Sequence, residues 1–145
     1  MKTPEALTGI VRGLHHVAIV VASIEEARQV YVDLLGLTPH ETEHVPDQKV
    51  NVLVCYAGDQ RVELVEPAAP DSPVSAFLAR RGGGLHHLAW RVDDCAAAIA
   101  RLKAAGARLI HEEPRPGAHG TRIAFVHPKS TGGVLCELVE DPHAR

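Results

Sequence analysis

Hydrophobic positions along the chain switch between two periods. Short alternating runs are separated by stretches in which apolar residues recur every three or four places. Leu14 to Val21 alternates, putting His15, Val17, Ile19 and Val21 on one face of a strand and His16, Ala18 and Val20 on the other. Ser23 with Glu26 three residues on forms a capping box. Behind it, Ile24, Ala27, Val30 and Leu34 make a helical stripe that Gly36 ends. Leu37 to Glu43 reads as a strand, which Pro39 confines to an edge or a bulge. Gln48 to Tyr56 is a strongly apolar strand, Gly58-Asp59 a hairpin turn, and Arg61 to Glu66 the returning strand.

After a linker from Pro67 to Pro70, Ser72 caps a short helix with Pro73 at its first position. A strand over His86 to Val92 follows, then an alanine-rich helix from Cys95 to Ala105 ended by Gly106. Strands are expected over Ala107 to Glu112, Thr121 to Val126 and Val134 to Glu140. Met1 to Arg12 reads as an extension, and Asp141 to Arg145 as an end that frays.

The pattern repeats. Gly13-Leu14-His15-His16-Val17-Ala18 returns as Gly84-Leu85-His86-His87-Leu88-Ala89, and each copy leads into a helix. The chain is therefore one domain over 1–145 built from two β-α-β-β-β modules. These span about 13–67 and 84–140, with a linker and short helix over 68–83. Neither module buries a sheet face alone. The expected fold is α+β, a single curved mixed sheet around a metal-containing cavity with the helices outside.

Composition narrows the function. With 46% hydrophobic and 23% charged residues the chain is that of a globular domain, and its net charge of −3 argues against a nucleic-acid surface. No stretch is long enough to span a bilayer or to serve as a secretory core. Cys55, Cys95 and Cys136 lack metal or disulfide spacing and read as reduced core residues of a cytoplasmic protein. Ten histidines are many for 145 residues.

Two carboxylates interrupt apolar runs, in Val62-Glu63-Leu64-Val65 and Cys136-Glu137-Leu138-Val139, at equivalent places in the modules. A mid-strand carboxylate without a partner costs roughly several kcal/mol. One histidine or one glutamate of this kind is ordinarily structural. Four in duplicate register call for a common explanation, and one divalent cation bound by His16, Glu63, His87 and Glu137 supplies it. The second histidine of each pair is the ligand by alternation, because it shares its face with small Ala18 or Ala89 where a cavity fits. Two imidazoles and two carboxylates suit Co²⁺, Ni²⁺, Zn²⁺ or Mn²⁺ without choosing among them.

These residues resemble the vicinal oxygen chelate superfamily, the glyoxalase and bleomycin-resistance fold, and within it most closely the methylmalonyl-CoA epimerase family. The likeness is carried by the two His-His strands, by Pro46-Asp47-Gln48-Lys49-Val50, by Val62-Glu63-Leu64-Val65-Glu66-Pro67, and by His127-Pro128-Lys129-Ser130. The resemblance implies R/S inversion at C2 of methylmalonyl-CoA through a metal-stabilised enolate, with one ion per chain, Co²⁺ first, and a homodimer. It also implies Gln48, Arg122, Lys129 and Ser130 as substrate contacts, Lys129 and Ser130 at coenzyme A phosphates. Some relatives keep a glutamate four residues after the glutamine, where this chain has Val52. That departure leaves Glu63 and Glu137 as the expected acid–base pair. A lactoylglutathione lyase would use the same ligands, and a non-catalytic drug-binding module of this fold would need none of them.

Overall fold

The computed structural model describes residues 7 and 9–143. Most of the amino-terminal extension (1–6 and 8) and the last two residues of the end expected to fray (144–145) lie outside the described residues. The chain divides into two compact units, His16–His86 and the described residues within Met1–His15 and His87–Arg145. The division falls inside both histidine pairs.

In the unit from His16 to His86, β1 (Val11–Val20, whose first half belongs to the other unit) is followed by α1 (Ile24–Arg28), β2 (Thr38–Val45), β3 (Val50–Ala57), β4 (Gln60–Pro67) and α2 (Pro73–Arg81). The strands lie in the order β2-β3-β4-β1, with β1 and β4 parallel and the other pairs antiparallel. Ser23 caps α1 by accepting the Glu26 N–H, and Ser72 caps α2. Gly58 supplies the positive φ of +63° that the two-residue β3–β4 turn requires. The register of β2 on β3 shifts between Pro39 and Thr42, the irregularity that Pro39 foretells. Helix α1 covers one sheet face, packing Ile24 and Ala27 with Leu53, Cys55 and Leu64.

The other unit repeats the plan with β5 (Gly84–Val92), α3 (Cys95–Ala104), β6 (Arg115–Pro116), β7 (Arg122–Val126) and β8 (Cys136–Glu140). Strands lie in the order β5-β8-β7-β6, with β5 and β8 parallel. Helix α3 packs Cys95, Ala98 and Ile99 on Val92, Ala124, Val126 and Leu138. The chain has the expected α+β class, two β-α-β-β-β modules with mixed strand pairing.

Four local expectations change. The stripe of α1 does not run to Leu34, because the helix continues as a π-turn over Gln29–Leu34 in which Leu35 N–H reaches the Val30 carbonyl at 2.9 Å. The wider turn rotates the face. Val30 and Leu34 point outward at 46% and 76% exposure, and Tyr31, Val32 and Leu37 pack inward instead. Ala107 to Glu112 forms no strand. Its only ladder feature among described residues is a bridge from Leu109 to Val126, since the His111 ring rather than a carbonyl accepts the Phe125 N–H at 3.1 Å. Gln48 lies in the β2–β3 turn rather than in a strand, and Lys49 after it adopts φ +53°. Asp141 does not fray, because it is held by His15 at 2.7 Å.

The π-turn makes a stability prediction. Leu34→Ser should change the free energy of unfolding by no more than about 0.5 kcal/mol in urea denaturation, whereas Leu53→Ala, at a fully buried site, should cost about 2–5 kcal/mol. Equal losses would place Leu34 in the core after all.

Candidate metal centre

The strand register builds the same pair twice. In the first unit Ala18 of β1 pairs with Glu63 of β4, and His16 stands two residues earlier on the same face. In the second, Ala89 of β5 pairs with Glu137 of β8, and His87 stands two residues earlier. His16 Nδ1 lies 3.2 Å from Glu63 Oε2, and His87 Nε2 lies 3.3 Å from Glu137 Oε1. All four side chains are buried, none above 9% exposed. Two tetrahedral ligands with bonds of 2.0–2.2 Å stand about 3.3 Å apart, so each pair has the spacing and the N/O chemistry of two ligands on one ion. Histidine–glutamate groups that can bind a metal are therefore present in both units.

A second carboxylate follows each of these three residues later, and the strand turns it to the opposite face. Glu66 Oε1 accepts the Ile24 N–H at 2.8 Å, and Glu140 Oε1 accepts the Cys95 N–H at 2.9 Å. Both glutamates thus sit at a helix N-terminus, where the orphan N–H groups and the dipole favour negative charge. The Glu-Leu-Val-Glu of each module has one carboxylate for the histidine and one for the helix.

The first histidines have other duties. His15 Nε2 lies in hydrogen-bond contact with Asp141 Oδ2 at 2.7 Å, both side chains below 10% exposure. His86 lies edge-on to Phe77 of α2, ring centroids 4.8 Å apart. Phe125, opposite Glu137 in the β7–β8 register, sets its ring edge-on to His87 at 4.9 Å. The cysteines are poor ligands. Burial pushes the Cys55 thiol up and that of Cys95 up to about 12, and Cys136 receives the Trp90 indole N–H.

Two residues escaped sequence reasoning. Arg61, two before Glu63 and hence on its face, donates Nε–H to Glu63 Oε2 at 3.0 Å and is only 12% exposed. The Arg-x-Glu spacing on an alternating strand was the signal for it. Glu43 of β2 pairs with Val52 of β3, which pairs with Val65 of β4. Half-buried Glu43 therefore shares the face of Glu63 next to the valine that stands where some relatives carry a glutamate.

The expected substrate residues are spread over both units. Gln48 gives its amide to Asp47 at 2.9 Å. Arg122 opens β7, exposed, and Lys129 and Ser130 are exposed on a short 3₁₀ turn, Pro128–Ser130. The Ser130 hydroxyl accepts the Arg108 N–H at 2.8 Å.

The chain matches the model of the Glyoxalase/Bleomycin resistance protein/Dioxygenase superfamily over residues 15–125. It is 40% identical over 127 residues to the ethylmalonyl-CoA/methylmalonyl-CoA epimerase of Cereibacter sphaeroides, an alignment covering 86% of this chain and 95% of that one. The crystal structure of methylmalonyl-CoA epimerase from Mycobacterium tuberculosis is similar with a TM-score of 0.86 at 39% identity, over 91% of this chain and 89% of that one. A probable lactoylglutathione lyase of Vibrio cholerae is 26% identical over 130 residues, 89% of this chain and 91% of that protein. Among the described residues no helix is long and apolar enough to cross a membrane.

The two histidines of β1 should separate cleanly on mutation. His15→Ala removes the imidazole that meets Asp141 at 2.7 Å and should lower unfolding stability by about 3 kcal/mol while leaving Co²⁺ binding in equilibrium dialysis near wild type. His16→Ala should do the reverse, weakening Co²⁺ binding by at least about tenfold. Full metal retention in His16→Ala would mean that the ligand was wrongly chosen.

Proposed function

We propose that this chain, which belongs to the Glyoxalase/Bleomycin resistance protein/Dioxygenase superfamily, is a metal-dependent methylmalonyl-CoA epimerase that inverts C2 of its substrate. The observation that carries the reading is the twice-built buried histidine–glutamate pair, in a chain whose similarity to epimerases runs well above its similarity to a lactoylglutathione lyase. We assign His16, Glu63, His87 and Glu137 to one divalent ion per chain, Co²⁺ first, with Ni²⁺, Mn²⁺ and Zn²⁺ as alternatives. When bound, the ion supplies a Lewis acid for the negative charge that develops as C2 loses its proton.

The chain's own residues move the proton. Inversion needs an acceptor on one face of C2 and a donor on the other. We assign these roles to Glu63 and Glu137, the two carboxylates that the duplicated strands place in equivalent surroundings. One takes the C2 proton while the electron pair of the C–H bond passes into the enolate. The other, protonated beforehand, returns a proton to the opposite face. Val52, 4% exposed and apolar, moves none. Gln48, Arg122, Lys129 and Ser130 are assigned to the substrate, with Lys129 giving its charge to coenzyme A phosphate. The family resemblance favours a homodimer, and the free cysteines favour a reducing, cytoplasmic setting.

Two measurements test the assignments. Lys129→Ala should raise KM for methylmalonyl-CoA several-fold with kcat little changed, because a phosphate contact far from C2 is made equally in ground and transition states. An unchanged KM removes Lys129 from the site. Glu63→Gln keeps a ligand oxygen but no longer accepts a proton. It should retain metal, lose roughly 10²-fold or more in epimerisation, and still wash deuterium into the epimer whose C2 proton faces Glu137. Glu137→Gln should show the opposite preference. Wild-type turnover in metal-loaded Glu63→Gln would sink this pairing and make Glu43, on the same sheet face, the next carboxylate to test.

A further inference from the structure

Lys49 holds a conformation that its side chain opposes. Its φ is +53°, in the left-handed region that suits glycine and costs a residue with a Cβ. The sequence step that carries His16 onto His87 carries Lys49 onto Gly120, whose φ is +71°. The ladders agree, since Asn51 opposite Glu66 and Arg122 opposite Glu140 each stand two residues later. The second module therefore makes this turn with a glycine, and the first makes it with a strained lysine. Strain of this kind persists only where surrounding bonds over-determine it, and it gathers at functional positions.

Those bonds come from the segment that leads into α2. The Lys49 carbonyl accepts the Ala68 N–H at 2.8 Å, and the Gln48 carbonyl accepts the Ser72 hydroxyl at 3.2 Å. Lys49 Nζ is paired with Asp71, at 48% and 68% side-chain exposure, and a pair so exposed returns little. The buried tie is Ser72, 4% exposed. Its hydroxyl oxygen caps α2 by accepting the Val74 N–H at 3.4 Å, while its proton goes to Gln48. A helix cap needs only the acceptor. The donated bond is a second duty, and it falls on the residue of this turn that is assigned to the substrate.

We infer that Ser72 is a positioning residue for Gln48, its hydroxyl keeping the turn 46–49 in the strained form that presents Gln48 to the acyl-CoA. The inference rests on the assignment of Gln48 to the substrate in the functional reading above. Once the Ser72 bond is lost, Lys49 relaxes toward negative φ, and the peptide joining it to Gln48 turns with it. Glycine at 49 removes that drive, because it holds a positive φ without help.

The test uses the full-length, Co²⁺-loaded protein and its calorimetric affinity for methylmalonyl-CoA. Ser72→Asp keeps an acceptor for the Val74 N–H but, ionised, has no proton for Gln48. It should weaken binding about 2- to 10-fold, the worth of one hydrogen bond. Adding Lys49→Gly should restore most of that affinity. In a Gln48→Ala background Ser72→Asp should cost nothing further, because residues that act through one another are not additive. Ser72→Ala, which loses the cap and the donated bond together, guards against an Asp variant that fails to fold and should show the same rescue by Lys49→Gly. A loss that Lys49→Gly does not rescue, or one of equal size with and without Gln48, overturns the inference and leaves Ser72 a helix cap. Unchanged affinity in folded Ser72→Asp overturns it as well. The two readings fail separately. Methylmalonyl-CoA bound with this pattern of rescue but not inverted at C2 by wild type would refute the epimerase and keep the positioning role. Inversion with an unrescued loss would do the opposite.

Discussion

A carboxylate inside an apolar β-strand is the constraint on which this molecule turns. Glu63 and Glu137 are each 6% exposed and lie among Val, Leu and Ala neighbours. An ionised group there is costly, by several kcal/mol, unless cations and hydrogen-bond donors surround it. The rest of each module answers that demand. The parallel pairing of β1 with β4, and of β5 with β8, sets an alanine opposite the glutamate and a histidine two places away. The small alanine leaves room on that face, and the helix covers the other, where Glu66 and Glu140 receive the N-termini of α1 and α3. One strand sequence thus holds a helix N-terminus on one side and a histidine–glutamate pair on the other.

Function follows from the departure from symmetry as much as from the symmetry. Equivalent histidine–glutamate pairs recur in the two modules, and on the proposed reading they are matched ligands with a carboxylate for each face of C2. Arg61 and Phe125 break the equivalence, the first bonding to Glu63 and the second packing its ring on His87.

The doubled modules and the strand alternation were legible in the sequence, because period depends on local pattern. Helix caps at Ser23 and Ser72 were legible for the same reason. What was hidden depended on partners distant in the chain or on backbone geometry with no apolar signature. The π-turn rotates Val30 and Leu34 to solvent although their spacing fits a regular helix. His111 takes the place of a strand carbonyl, so an apolar run at 107–112 forms no strand. Asp141 looks like a frayed terminus until His15, far away in sequence, is found beside it. Arg61 was read only as the start of a returning strand, and its bond to Glu63 gives it a part that the alternation alone did not assign.

The central claim is that the two histidine–glutamate pairs serve one ion. Each pair satisfies the spacing of two ligands by itself, so separate ions on separate pairs are the competing arrangement. Co²⁺ titration of the metal-free protein, followed by the visible cobalt spectrum and by elemental analysis after dialysis, distinguishes them. The account predicts saturation at one equivalent per chain, and near-complete loss of binding when either His16 or His87 alone is replaced by alanine. Saturation at two equivalents, with each alanine variant keeping one, would contradict it.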